Sequence, residues 1–382
     1  MRAGYGKLLD WAVAASLAIG IASASYAAPV EWRTECIGYY IVELPGNIEF
    51  AVQRPPFTRS WEPQFTDGLG VWQTRFEVAS KGAIDGSNEI EISSAAAEES
   101  LAEAMAQKNR KQQSAKDDYL RKAKLFDDSP NVQKELLDKA GKVLFYKPIN
   151  DVRTYGMYGD DAVNFDVLVN NRIVSARRKL VGTPRSTIDD FLTNYLPRAP
   201  FDLPREPGVC LPYFFMTGEV HQATTGISLR LKDRPDIVIY LHDQPVDKAQ
   251  VDVDAFVNKA VQRGYFYGAK YTEPMDGNLR PFRSIKIDGR EGLGGFARIT
   301  RNPAQQSNIQ IANTANKDQD WGYLAYIPGD KNAPPGTSSD LIFKVERFGR
   351  FAKEPMSEKE FRDLVKTLAA GIKRRPGAWV PR

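Results

Sequence analysis

Histidine and cysteine are almost missing from this 382-residue chain, which has two of each. Histidine is the side chain on which general-base and nucleophile-activating chemistry most often relies. His221 and His242 have no second ligand at metal-binding spacing beside them, so each reads as a half-buried or solvated side chain. The Gly-x-Ser-x-Gly elbow, the P-loop, the Gly-x-Gly-x-x-Gly fingerprint and the His-Glu-x-x-His motif do not occur. Neighbouring carboxylates are present at Glu98-Glu99, Asp160-Asp161 and Asp189-Asp190. Adjacent side chains diverge on a strand and on a helix, so these are not acid–base pairs by adjacency; a histidine-free acidic hydrolase is the enzymatic alternative. The chain reads as a non-enzyme with no cofactor and no metal.

Charge of one sign is also lacking. The chain carries 52 basic against 48 acidic residues, a formal net charge of +4, and nothing in that balance asks for nucleic acid. The basic runs Arg177-Arg178-Lys179 and Lys373-Arg374-Arg375 fall in a strand and at a helix end, where solvation or the helix dipole accounts for them. One apolar run stands out, Trp11 to Ala22, after Arg2 and Lys7 and before Ser25-Tyr26-Ala27. That is the layout of a secretory signal, so residues 1–27 are expected to be an address, and the run is short for a membrane span. Export puts Cys36 and Cys210 in an oxidising compartment. A bond between them is allowed there; two separate buried thiols are the alternative, and geometry decides between them.

Those cysteines head two similar segments, Glu35 to Pro45 and Gly208 to Met216, each an apolar, aromatic-rich run of strand character that leads into a similar order of strands and helices. The pattern is that of a duplication. In the first half, strands are expected at Ile37–Leu44, Trp72–Ala79, Lys142–Lys147, Val152–Tyr158, Ala162–Val169 and Arg172–Val181. The last two are joined by an Asn170-Asn171 turn. A long helix from Ala97 to about Lys124 has only a sparse stripe of Leu101, Met105 and Leu120, and a short one follows at Val132–Ala140. A helix opened by Pro184 and Ser186 closes the half, with Ile188, Phe191, Leu192 and Tyr195 inward and Pro197 as its stop.

Pro197, Pro200, Pro204 and Pro207 make a stiff stretch, and the boundary between a domain at 28–203 and another at 204–382 is placed there. In the second half, strands are expected at Val209–Thr217, Gly226–Lys232, Asp236–His242, Arg283–Ile287, Gly295–Arg301, Ile309–Ala312, Gly322–Ile327 and Leu341–Glu346. A helix capped by Asp252 runs to Gly264. A closing helix has capping-box spacing at Ser357 and Glu360 and an apolar stripe of Phe361, Leu364, Val365, Leu368 and Ile372. The glycines of Gly289 to Gly295 precede a strand rather than a helix, so they shape a turn or bulge and not a phosphate cradle. Strand clusters followed by single helices give α+β, with two related domains of mostly antiparallel sheet and packed helices facing each other across a cleft.

Several of these segments carry a family resemblance. Cys36 to Pro45, Gly208-Val209-Cys210, Ile227 to Leu231 with Pro235 to Ile239, Gly289 to Gly292 and Ile372 to Gly377 are similar to the corresponding parts of the bacterial immunity proteins that protect against type VI secreted phospholipase effectors. The resemblance spans nearly all of the exported chain, while the central part of the first half departs from the family pattern. It implies two related domains, an export signal, a periplasmic location and a partner that is a lipase of the α/β-hydrolase class, whose active site the protein would occlude. It implies no nucleic-acid partner and no stable membrane insertion after the leader is removed.

Loop aromatics anchor many such interfaces, which makes Phe57, Trp61 and Trp321 the first residues to consider for partner binding; the alternative is that each packs under its own loop. Two rival readings come from other classes. A periplasmic small-molecule binding protein would also have two domains and a cleft, but with strictly alternating strands and helices. A cell-envelope assembly factor would associate with resident envelope components instead of a toxin.

Overall fold

A computed structural model describes residues 31–52, 75–78, 88–96, 98–149, 153–158, 162–180, 182–218, 223–246, 272–274, 276, 282–299, 320–333 and 338–378. The first half holds β1 (Trp32–Ile37), β2 (Tyr40–Pro45), β3 (Ile48–Phe50), β4 (Arg75–Val78), β5 (Asn88–Ala95), α1 (Glu98–Leu125), α2 (Pro130–Gly141), β6 (Lys147–Pro148), β7 (Thr154–Tyr158), β8 (Ala162–Val169), β9 (Arg172–Lys179) and α3 (Pro184–Asn194). Then come β10 (Tyr195–Pro197), β11 (Gly208–Leu211), β12 (Phe214–Thr217), β13 (Ala223–Leu231), β14 (Ile237–Pro245), β15 (Thr272–Pro274), β16 (Arg283–Ile287), β17 (Arg290–Ile299), β18 (Asp320–Ile327), β19 (Ser339–Arg347), α4 (Glu358–Ala370) and β20 (Lys373–Arg374). The class is α+β, and the described strand pairs are antiparallel. The expected helix at Asp252–Gly264 and strand at Ile309–Ala312 lie outside the described residues.

The two cysteine-bearing runs are hairpins rather than single strands. β1 turns into β2 through Gly38-Tyr39, with Ile37 opposite Tyr40 and Gly38 at φ +59°, as a two-residue turn with glycine first requires. A Cβ on Gly38 would stand 2.6 Å from Thr225 Oγ1. β11 turns into β12 through Pro212-Tyr213, with Tyr213 at φ +63°. Proline pre-sets the first turn position, and the strained tyrosine is held by an edge contact with Phe50 and by the Arg172 guanidinium 3.5 Å over its ring.

β4 and β5 carry the sheet of the first half, β5–β9–β8–β7–β6, into that of the second, β13–β14–β19–β18–β17–β15. β13 pairs with both β4 and β3, so the sheet continues across the proline-marked boundary, and Trp32–Arg382 groups as one unit. Two three-stranded sheets, β1–β2–β20 and β10–β12–β11, stand beside it. A single apolar cluster runs through both halves, from Tyr40, Val42 and Phe50 through Phe165 and Phe191 to Phe343 and Phe361.

The closing helices start as expected. Thr183 caps α3 in a capping box with Ser186, and Ser357 caps α4 with Glu360. α3 ends at Asn194, three residues before Pro197, because Tyr195 leaves the helix to pair in β10 and stacks between Phe191 and Phe214 at 4.9 and 4.4 Å. Residues 143–146 do not extend β6. The backbone of Tyr146 is tied instead to α1, where Asn109 donates to Tyr146 O (3.0 Å) and accepts from Tyr146 N (2.8 Å). The glycine-rich segment is split: Asp288-Gly289 forms the β16–β17 turn with positive φ at both residues, whereas Gly292 and Gly294 lie inside β17. A Cβ on Gly292 would come within 2.3 Å of Tyr326 O, so close strand packing and not a bulge requires glycine there.

Candidate functional site

β1 brings Cys36 against Cys210 of β11, and the two are bonded with Cα atoms 5.7 Å apart. Beside the disulfide, Gly38 N donates to Cys210 O and Cys210 N to Gly38 O, both at 2.9 Å. The start of one half is thus stitched to the start of the other by a covalent bond and a backbone bridge. Both cysteines are fully buried, with Phe215 completing their small cluster.

Next to that stitch lies a buried ion pair. Arg198 Nη1 is 2.7 Å from Glu35 Oε1, and both side chains are almost wholly removed from solvent. The guanidinium also donates to Cys36 O (2.8 Å), Phe214 O (3.2 Å) and Leu211 O (3.3 Å), while Glu35 accepts from the backbone of Cys36 (2.8 Å) and Phe201 (2.6 Å). Burial raises the Glu35 pKa; Arg198 and the two N–H donors oppose the rise. Arg's five fixed donors suit it to gather carbonyls from several segments at once. Arg375 does the same on the far side, donating to Pro204 O (2.7 Å), Glu206 O (3.0 Å) and Gly208 O (2.9 Å) while its own N–H bonds Tyr39 O (2.9 Å). The proline-rich linker is therefore held at both ends by arginines, in addition to its intrinsic stiffness.

A third cluster joins β2 to the second half. Tyr40 Oη accepts from Arg290 Nη2 (2.9 Å) and donates to Asp243 Oδ1 (3.4 Å); Ser339 Oγ also donates to Asp243 Oδ1, and Arg290 Nη1 bonds Ser339 O (2.7 Å). Burial, reinforced by the Asp243 charge, pushes the Tyr40 phenol up to about 12, so it remains a donor. Burial also raises the Asp243 carboxyl to about 6, against the opposing pull of Ser339, Arg374 and Arg290. Serine, aspartate, tyrosine and arginine are residue types found in hydrolase sites, but Tyr40, Asp243 and Ser339 are 0%, 1% and 6% exposed. Substrate cannot reach the serine, and the cluster acts as an internal brace. Among the described residues no group of three histidine, cysteine or acidic side chains could hold a metal.

Four of the segments that carry the family resemblance meet here, while Ile227 to Leu231 lies in β13 and Pro235 to Ile239 leads into β14. Cys36 to Pro45 forms most of the β1–β2 hairpin, Gly208 to Cys210 lies in β11, Gly289 to Gly292 opens β17, and Ile372 to Gly377 contains β20, which pairs with β2. Asp288 accepts from Arg374 N (2.9 Å) and closes the ring between β16 and β20. Of the aromatic residues considered for partner binding, Trp321 is corrected: it is a buried β18 residue, packed 5.6 Å from Phe361 and beneath the Arg347 guanidinium, not a loop anchor. Phe57 and Trp61 lie outside the described residues, as does His221. His242 is half-buried in β14, 3.2 Å from Gln244 Oε1 and stacked on Tyr240. Sequence reasoning did not single out Glu35, Arg198, Tyr40, Asp243 or Arg290. The available signal is a carboxylate next to Cys36 at the head of an apolar run and another following His242 in a strand.

No helix among the described residues is long and apolar enough to cross a membrane. No family model matches the chain, and no curated protein matches it in sequence. Among solved structures, it is similar to the T6SS immunity protein TplEi from Pseudomonas aeruginosa complexed with "L" peptide. That match has 13% identity and a TM-score of 0.48, and covers 90% of this chain and 98% of the other. The apo form of TplEi gives 13% identity and 0.47, over 90% and 97%. A chain of the Tle4–Tli4 complex gives 14% identity and a TM-score of 0.48, over 90% of this chain and 98% of its own.

Proposed function

We propose that this chain is a periplasmic immunity protein that binds a type VI secreted phospholipase effector and keeps lipid from the effector's nucleophile. The observation that carries this reading is the convergence of four of the resemblance-bearing segments, distant in sequence between Cys36 and Gly377, on one clamped seam. They act as a structural signature and hold no reactive group open to solvent. Blocking another enzyme needs a preorganised surface and no chemistry of its own, because rigidity limits the ordering cost of binding. The disulfide, the Arg198 and Arg375 hubs and the Tyr40 brace supply that rigidity between the halves. In this reading the halves act as two domains, divided near residues 203 and 204, that face a common cleft and grip the lipase there, and residues 1–27 direct the chain to the periplasm.

The test is co-expression with the candidate lipase directed to the periplasm. The chain with its leader abolishes the toxicity and a form lacking residues 1–27 does not. Rescue by the leaderless form would contradict the periplasmic placement, and toxicity unchanged by the full chain would contradict immunity.

A further inference from the structure

The central part of the first half, where the sequence departs from the family pattern, forms a helical arm. α1 is rooted on the sheet by Leu101, Ala104 and Met105, which pack with Ile173, and by Lys108, whose Nζ is 2.6 Å from the buried Asp166 carboxylate. Asn109 makes the last anchoring bonds, to the backbone of Tyr146. From Arg110 to Lys139 only Ala123 is buried. Sixteen helical residues beyond Asn109 correspond to a reach of about 24 Å at 1.5 Å per residue. The chain thus maintains two helices with little core to justify them, since helices of this kind derive most of their stability from packing an apolar face.

The free end of the arm exposes large apolar side chains among charged ones. Leu125, Leu137, Phe126, Val132 and Leu120 are 68%, 47%, 44%, 42% and 36% exposed, and all lie within about two turns of the α1–α2 connection. Single exposed apolar side chains are ordinary, but a group of five at one end of a projecting element is the kind of patch that marks an interaction surface. Behind it, Arg110 to Lys124 contains six basic residues against Asp117 and Asp118, a net charge of +4 on a chain that is otherwise balanced.

We infer that the α1–α2 arm is a docking element for the effector protein, fitting an apolar depression with an acidic rim; this rests on the immunity reading above. Basic and apolar residues together also suit an anionic lipid surface. Asp127 and Asp128 favour the protein: both are exposed, directly after Phe126 at the tip. Inserting Leu125 and Phe126 into an anionic bilayer would press these two carboxylates against headgroups of the same charge. A protein surface can place donors opposite them.

The test compares the full oxidised chain with Leu125→Asp/Leu137→Asp and Arg110→Glu/Lys124→Glu, measuring affinity for the candidate lipase, sedimentation with phosphatidylglycerol vesicles and melting temperature. The inference expects unchanged melting temperatures, at least about a tenfold loss of lipase affinity in each variant, as for anchors of an interface, and no vesicle binding by any form. Wild-type affinity in both variants would overturn the arm assignment and leave the immunity reading intact. Vesicle binding that the variants lose while lipase affinity persists would overturn it in favour of a membrane role. Failure of the unmodified chain to bind the lipase would overturn the functional reading and the arm assignment together.

Discussion

Breaking the Cys36–Cys210 bond should lower stability by an amount that its sequence separation sets. The bond closes a loop spanning 174 positions. By the chain-entropy relation, cross-linking over that length removes about 5 kcal/mol worth of freedom from the unfolded chain, and measured disulfides more commonly contribute about 2–4 kcal/mol. Unfolding entropy scales with length, so for a chain of this size each kcal/mol moves Tm by roughly 1.5 °C. Reduction by dithiothreitol should therefore lower the Tm of the chain by about 3–7 °C. The thiols are fully buried, so equilibration needs partial unfolding and incubation near the transition. Circular dichroism melts of the wild type, Cys36→Ala, Cys210→Ala and the double variant form a cycle. Either single substitution removes the whole bond, so the double variant should lose at most about 1 kcal/mol more, from the second small cavity. A Tm that reduction leaves in place, with single substitutions that simply add, would mean two independent buried thiols.

Arg198→Ala leaves the Glu35 carboxylate buried without its counter-ion and orphans the Cys36, Leu211 and Phe214 carbonyls, so urea unfolding should show a loss of about 3–5 kcal/mol. The double change Glu35→Gln/Arg198→Met should cost less than Arg198→Ala alone; an equal or larger cost would refute the ion-pair account. Asp243 gives a pH dependence opposite in sign to that of a salt-bridged carboxylate. Its folded pKa of about 6 lies above the ordinary 3.8, so between these values the folded chain holds a proton that the unfolded chain releases. Its contribution is full below about pH 4 and is lost as pH rises through 6, with a magnitude on the order of 3 kcal/mol. Asp243→Asn should flatten this part of the stability profile between pH 4 and 7, and an unchanged profile would place the titration elsewhere. Gly292→Ala must move strand backbone at Tyr326 and should cost about 1–3 kcal/mol. Gly289→Ala meets nothing within 4 Å and should cost only its positive φ, about 1 kcal/mol; a reversed order in chemical denaturation would contradict the β17–β18 packing described here.

The elements with strong periodicity or caps were legible in the sequence. β8 and β9 follow from the alternation of Val163, Phe165 and Val167 and from the Asn170-Asn171 turn, where both asparagines have positive φ. α4 follows from Ser357, Glu360 and its apolar stripe. The hairpins at the two cysteines look like single strands in the sequence because their turns, Gly38-Tyr39 and Pro212-Tyr213, sit inside apolar runs where alternation does not show a reversal. Leu120 belongs by periodicity to the docking stripe of α1, yet it is exposed in a helix that runs alongside α2. The seam was half legible. The cysteines announced themselves, but Glu35, Arg198, Tyr40 and Asp243 are distant in sequence and gain meaning only when folding removes them from water. Trp321 shows the reverse error: a polar neighbourhood in sequence suggested a loop, whereas Trp321 lies in β18, which is buried along its whole length.

The most direct test of the central claim is size-exclusion chromatography of the oxidised chain, without residues 1–27, mixed with the candidate lipase, with phospholipid hydrolysis assayed across the peak. Immunity by occlusion predicts a single complex peak in which hydrolysis is suppressed and returns when the complex is dissociated. Separate elution of the two proteins, with lipase activity undiminished, would contradict it.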